Sequence, residues 1–181
     1  VLPNSGGLHK VTIIPRGGTG GVTWFLDEED KVYHSVNEFK DVLVRIVGGR
    51  IAEKIMYGDD WVTTGAGNDL QKATQLAREM VIEQGMGKKL RNMVFHEDEG
   101  GMMLDRMVHS KPYSEKTAEL IDQEVEDLIA EATRRCEKII RANLKSLENI
   151  KKELLEKETL DEDEARAALS GAVAPKDIVL A

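Results

Sequence analysis

From Ser114 to Leu155 the apolar residues fall at the three- and four-residue spacing of an α-helix, and this stretch limits the possible folds more than any other. Ile121, Val125, Leu128, Ile129, Ala132, Cys136, Ile139 and Ile140 trace one face of a long helix, with Ser114 as its N-cap candidate. Leu144, Leu147, Ile150, Leu154 and Leu155 trace a second helix, with a break near Asn143, and a short acidic helix is expected after Asp161. Apolar stripes of this kind need a partner face. A mainly α domain is the expectation.

Upstream, Ser35 followed three residues later by Glu38 is a capping-box signature. Phe39, Val42, Leu43, Ile46, Val47, Ile51 and Ile55 behind it form one helical apolar face. Gly48 and Gly49 interrupt that face at about 1 kcal/mol each relative to Ala, and they read as close backbone packing, a kink or a point of approach. A further helix opens after residues 63–69, with Leu70, Ala73, Ala77, Met80 and Val81 inward and Gly85 as the residue past its end.

The front of the chain is different. Residues 9–14 and 21–26 are β-branched and aromatic runs separated by turn chemistry, so a small amino-terminal β-hairpin is expected. The class is therefore α+β with helices dominant. Residues 86–112 read as irregular, with Met102, Met103, Leu104 and Met107 tucked under a polar loop. Residues 1–169 form one domain, and 170–181 read as a flexible tail.

Composition removes several function classes. With 25 basic and 33 acidic side chains among 181 residues, the net charge of -8 argues against nucleic acid as the main partner. The lone Cys136 leaves no disulfide framework or CxxC motif, and its place on an apolar helix face makes it a core residue. No apolar run is long enough to span a membrane. The chain begins at Val1 rather than Met and reads as cut from something longer.

Residues 17–21, a glycine-rich run, lack GxxxxGK[ST] and are flanked by strands, so they read as a turn and the chain binds no ATP by itself. His9, His34, His96 and His109 show neither HxxxH spacing nor HExxH, so a helix-borne pair of metal ligands is absent from this stretch. Two carboxylates stand out. Asp69 ends the flexible run Thr63-Thr64-Gly65-Ala66-Gly67-Asn68, where it either caps the next helix or serves as an acid carried to a fixed target. Glu53, beside Ala52 and the paired glycines, either approaches a neighbouring helix closely or pairs with a Lys or Arg in solvent.

Taken in order, HKVTIIPRG (9–17), GVTWFL (21–26), GGRIAEKI (48–55), VTTGAGNDL (62–70) and LLEKETLD (154–161) resemble the peptidase domain of the FtsH-type membrane-anchored AAA+ zinc metalloproteases. The likeness covers about residues 2–169, and the GGR-x-AE and TTGAxND pair is its most specific part. It implies a helical peptidase domain in which Asp69 matches the distant Asp that joins two His of an HExxH helix around a catalytic zinc ion. It implies that Glu53 lies behind the site and orients a zinc-bound imidazole. The strand with Gly21, Val22, Thr23 and Trp24 looks like the edge to which an extended substrate adds as another strand.

In the family, HExxH lies shortly upstream of the segment matching Leu2-Pro3-Asn4, so the zinc site is incomplete here and the fragment is expected to be inactive alone. A helix preceding Val1 is expected to cover the apolar surface around Ile46 and Val47. ATP is used by a module absent from this stretch. The resemblance further implies unfolded and membrane proteins as substrates, a homo-hexamer, and a place on the cytoplasmic face of a membrane contacted only through segments absent here. The alternative is a non-catalytic relative that kept the helical, ring-forming part as an oligomerisation or scaffold domain.

Overall fold

A computed structural model describes residues 1–4, 6–15, 20–26, 33–95 and 113–173 of the chain. Six helices lie among the described residues: α1 (Val36–Ile46), α2 (Gly48–Tyr57), α3 (Gly67–Ile82), α4 (Glu115–Ala142), α5 (Leu144–Lys157) and α6 (Glu162–Ala168). Three strands accompany them: β1 (Gly7–Thr12), β2 (Val22–Leu26) and β3 (Thr159–Asp161).

The long helix α4 is the hub, in contact with α1, α2, α3 and α5. Its inward residues Ile121, Val125, Leu128, Ala132, Cys136 and Ile139 join Leu43, Val44, Val47, Ile51, Ala77, Met80 and Val81 in one buried core. Helix boundaries follow local chemistry. Ser35 Oγ accepts the Glu38 N–H while the Glu38 carboxylate accepts the Ser35 N–H, a complete capping box. Ser114 Oγ accepts the Thr117 N–H at the start of α4. Asp161 and Glu164 form a second box that starts α6. Asn143 interrupts the α4–α5 run as its sequence suggests. Past α3, Gly85 has φ +59 and Met86 N–H donates to Met80 O at 2.8 Å. A Cβ at Gly85 would also lie 3.1 Å from Met93 O.

Three expectations need correction. The helix expected through residues 35–55 is two helices that meet at Val47, so the paired glycines mark a break. Close packing is not their role, because a Cβ at Gly48 or Gly49 would meet nothing within 4 Å. Val47 is buried by the chain's own core and Ile46 packs against it, so no bare apolar face waits there for a preceding helix.

The hairpin is also part of a larger sheet of order β2-β1-β3, antiparallel throughout. β1 registers Lys10 opposite both Trp24 and Asp161, and Thr12 opposite both Val22 and Thr159. Partners in register share a face, so these residues occupy one side of the sheet. On the other side Leu160 is fully buried and α6 packs close by. The Arg45 guanidinium lies 4.2 Å from the Phe25 ring centroid and ties β2 to α1.

Two buried carboxylates fasten the frame. Asp41 on α1, 1 % exposed, accepts from Asn4 N–H and Asn4 Nδ2 at 3.0 Å each and from Arg135 Nη2 at 2.7 Å. It thereby joins the front of the chain to α1 and α4. Glu124 on α4 accepts successive backbone N–H groups of Lys88, Lys89 and Leu90, a small nest for an anion. Gly87 leaves the room for it, since a Cβ there would lie 2.6 Å from Glu124 Oε2. At the other end, the Asn143 side chain bonds both the N–H and the C=O of Val173, at 2.7 and 2.6 Å. The start of the expected tail is thus fastened, while 174–181 lie outside the described residues.

Candidate functional site

The segment joining α2 to α3 holds both carboxylates singled out by the sequence. α2 is fixed by Ile51, buried in the core, and presents Glu53 two residues later. Gly58, at φ +92, ends the helix in a conformation that suits a residue with no Cβ. A 3₁₀ turn at Asp59–Trp61 follows, and Val62 and Thr63 are extended. Thr63 Oγ1 then accepts the Gly65 N–H at 3.2 Å and starts a second turn, Thr64–Ala66, that runs directly into α3.

Among the described residues, Glu53 is held by Thr63 rather than by a cation. Its Oε2 accepts the Thr63 N–H at 3.0 Å, and both of its oxygens accept the Thr63 hydroxyl, at 3.1 and 3.2 Å. The expected alternatives of a Lys or Arg partner in solvent or a close neighbouring helix give way to a brace within one loop. Thr63, which the sequence reading left without a role, is the centre of that brace. Its one sequence signal is its place at the head of the run, two residues before Gly65.

Asp69 is not a cap. The N-cap of α3 is Ala66, which makes no side-chain capping bond, and Asp69 lies inside the first turn. Its carboxylate is half exposed, and Lys72 Nζ lies 3.5 Å away on the same helix face. Placement in a first turn suits a negative charge through the helix dipole and leaves the oxygens available to a cation. Along the connection from α2, Met56, Tyr57 and Trp61 leave apolar surface exposed, Trp61 being 75 % exposed.

At the sheet, β2 pairs with β1 on one side, and no described strand lies on its other side. Gly21 sits where β2 meets β1, and a Cβ there would lie 2.7 Å from Thr12 O, so only glycine fits. Trp24 is 39 % exposed, with Lys10 Nζ 5.9 Å from its ring centroid. A groove of about 270 Å³ runs beside it, lined by His9, Lys10, Thr12, Ile14, Trp24 and Thr159.

The other candidates are inert or undescribed. Cys136 is buried, and burial with the neighbouring Glu137 pushes its thiol up to about 11. His34 stacks near Phe39 at 5.7 Å between ring centroids. His96, His109, Met102, Met103, Leu104, Met107 and residues 17–19 of the glycine-rich run lie outside the described residues. Among the described residues, no group of three His, Cys, Asp or Glu is placed to hold a metal ion. Nor is any described helix long and apolar enough to cross a membrane.

The sequence matches the family model described as Peptidase family M41 over residues 1–168. It is 41 % identical over 172 residues to ATP-dependent zinc metalloprotease FtsH 1 of Thermoanaerobacter sp., covering 94 % of this chain and 28 % of that protein. It is 42 % identical over 172 residues to ATP-dependent zinc metalloprotease FtsH of Thermotoga maritima, with the same coverage of 94 % and 28 %. The Synechococcus protein of that name is 38 % identical over 174 residues, 95 % of this chain and 27 % of its own length. The chain thus spans little more than a quarter of the curated relatives it matches.

Proposed function

The chain belongs to peptidase family M41, and on that premise we propose that it is part of an ATP-dependent zinc metalloendopeptidase that hydrolyses peptide bonds in unfolded and membrane proteins. The observation that carries the reading is Asp69: a carboxylate on a braced loop, in a first helical turn, without capping duty and half exposed. It fits the role of one oxygen ligand to zinc, which in a catalytic site takes three protein ligands and leaves a position open. No such set is complete among the described residues; the reading takes the imidazole donors from an HExxH helix ahead of Leu2, as the family resemblance implies. When bound, the ion would polarise the scissile carbonyl and activate a water molecule.

This chain's own contribution is to hold that ligand and to bind substrate. The outer edge of β2, at Gly21, Val22, Thr23 and Trp24, has no described strand beside it and in this reading offers backbone hydrogen bonds to an extended peptide. Such pairing is tolerant of sequence, as degradation of varied unfolded proteins requires. ATP hydrolysis, a hexameric ring and the placement at the cytoplasmic face of a membrane belong to the remainder of the protein. The fragment alone is inactive in this reading.

The test is a protein extended to include the segment that precedes Leu2, assayed for bound zinc and for casein hydrolysis. The wild type should bind zinc and cleave. The Asp69→Ala protein should bind zinc more weakly by well over the roughly tenfold lost with outer partners of a zinc site. An extended protein that neither binds zinc nor cleaves would favour the scaffold alternative instead.

A further inference from the structure

Resting on the reading of Asp69 as a ligand, we propose that Thr63 is a positioning residue: its hydroxyl, bonded to Glu53 on one side and to the Gly65 N–H on the other, sets the turn that presents Asp69.

The connection is short and continuous. Glu53 is carried by α2, whose backbone is anchored by the buried Ile51 two residues earlier. Thr63 binds the Glu53 carboxylate through both its backbone N–H and its hydroxyl. The same hydroxyl accepts the Gly65 N–H within the turn Thr64–Ala66. Ala66 is buried and opens α3, and Asp69 follows three residues later. Gly65 and Gly67 leave this stretch few conformational limits of its own. A β-branched side chain, stiff at χ1 and bonded at both ends, supplies the missing constraint. Glu53 accordingly works on the turn that leads into the helix carrying Asp69.

Three substitutions in the zinc-loaded, extended protein separate the possibilities. Thr63→Val keeps the shape and removes the hydroxyl, Thr63→Ser keeps the hydroxyl, and Asp69→Ala removes the ligand. Zinc affinity is read by competition with a chelator and the Gly65 amide by hydrogen exchange, alongside kcat and KM for a peptide. Thr63→Val should weaken zinc binding by roughly tenfold, the scale of outer partners of a metal ligand. It should also lower kcat with little change in KM and speed Gly65 exchange. Thr63→Ser should restore all three. If Thr63→Val keeps wild-type zinc affinity while Asp69→Ala loses it, the inference falls and the ligand assignment stands. If Thr63→Ser, which keeps the hydroxyl, fails as badly as Thr63→Val, the hydroxyl does not set the turn, and the inference also falls. If Asp69→Ala binds zinc as the wild type does, the ligand assignment falls and takes the inference with it.

Discussion

Asp41 and Asp69 are both aspartates on helices of one small domain, and their surroundings are opposite. Asp41 is sealed in the helical core with an arginine and two asparagine donors around it. Asp69 is half exposed, with Lys72 as its loose neighbour among the described residues and no capping role. Glu124 and Glu53 repeat the contrast: the first is buried against three backbone donors, while the second sits at the edge and holds a loop. A buried carboxylate in this fold is spent on joining elements, because leaving it unpaired there costs too much. Asp69 is half exposed in the first turn of α3, where solvent takes the place of such a partner.

The contrast can be broken most forcefully at Asp41. Asp41→Ala strands Arg135 and releases Asn4, so it should cost about 3–5 kcal/mol of stability, read from the urea midpoint. A cost below about 1 kcal/mol would show that this carboxylate is not a fastening. Glu124→Ala comes next, with three backbone N–H groups left without their acceptor and an expected loss of about 2–3 kcal/mol. Gly87→Ala should fail in the same direction, since the added Cβ displaces the same carboxylate.

Glu131 sharpens the comparison through pH. Burial raises its pKa, but Lys40 at 2.8 Å and Lys88 at 3.5 Å outweigh that and hold it below the ordinary 4.5. A depressed folded-state value contributes stability that is present above the unfolded pKa and lost as pH falls through the folded one. Stability of the wild type over Lys40→Ala should therefore be full at neutral pH and shrink in acid below about 4.5. A gap that widens in acid would contradict the assignment. The smallest effect is expected at Lys72→Ala, an exposed pair worth at most about 0.5 kcal/mol, which should leave the melting temperature almost unchanged.

Much of the scaffold was legible because it is written locally. Ser35 with Glu38, Ser114 and Asp161 each act within three residues of themselves, and the apolar stripes of α3 and α4 point to the core they form. β3 was not legible. Thr159, Leu160 and Asp161 are too few to show alternation, and they pair with β1 nearly the whole chain away. Asp41 with Arg135, and Glu124 with residues 88–90, are likewise contacts between distant positions that no periodicity reveals. At the candidate site, the run around Asp69 could be recognised as unusual, but its capping and non-capping readings separate only when Ala66 is seen as the N-cap. Thr63 was hidden because a hydroxyl has no sequence signature until the carboxylate it meets is placed.

The central claim is that Asp69 serves a metal rather than the fold, and a zinc titration followed by thermal unfolding tests it directly. A ligand that binds only the folded state raises the melting temperature in proportion to its affinity. In the protein extended ahead of Leu2, zinc should raise the melting temperature of the wild type. Asp69→Ala should melt with the wild type when zinc is removed and gain far less when it is added. An equal zinc-induced rise in the two proteins would contradict the account.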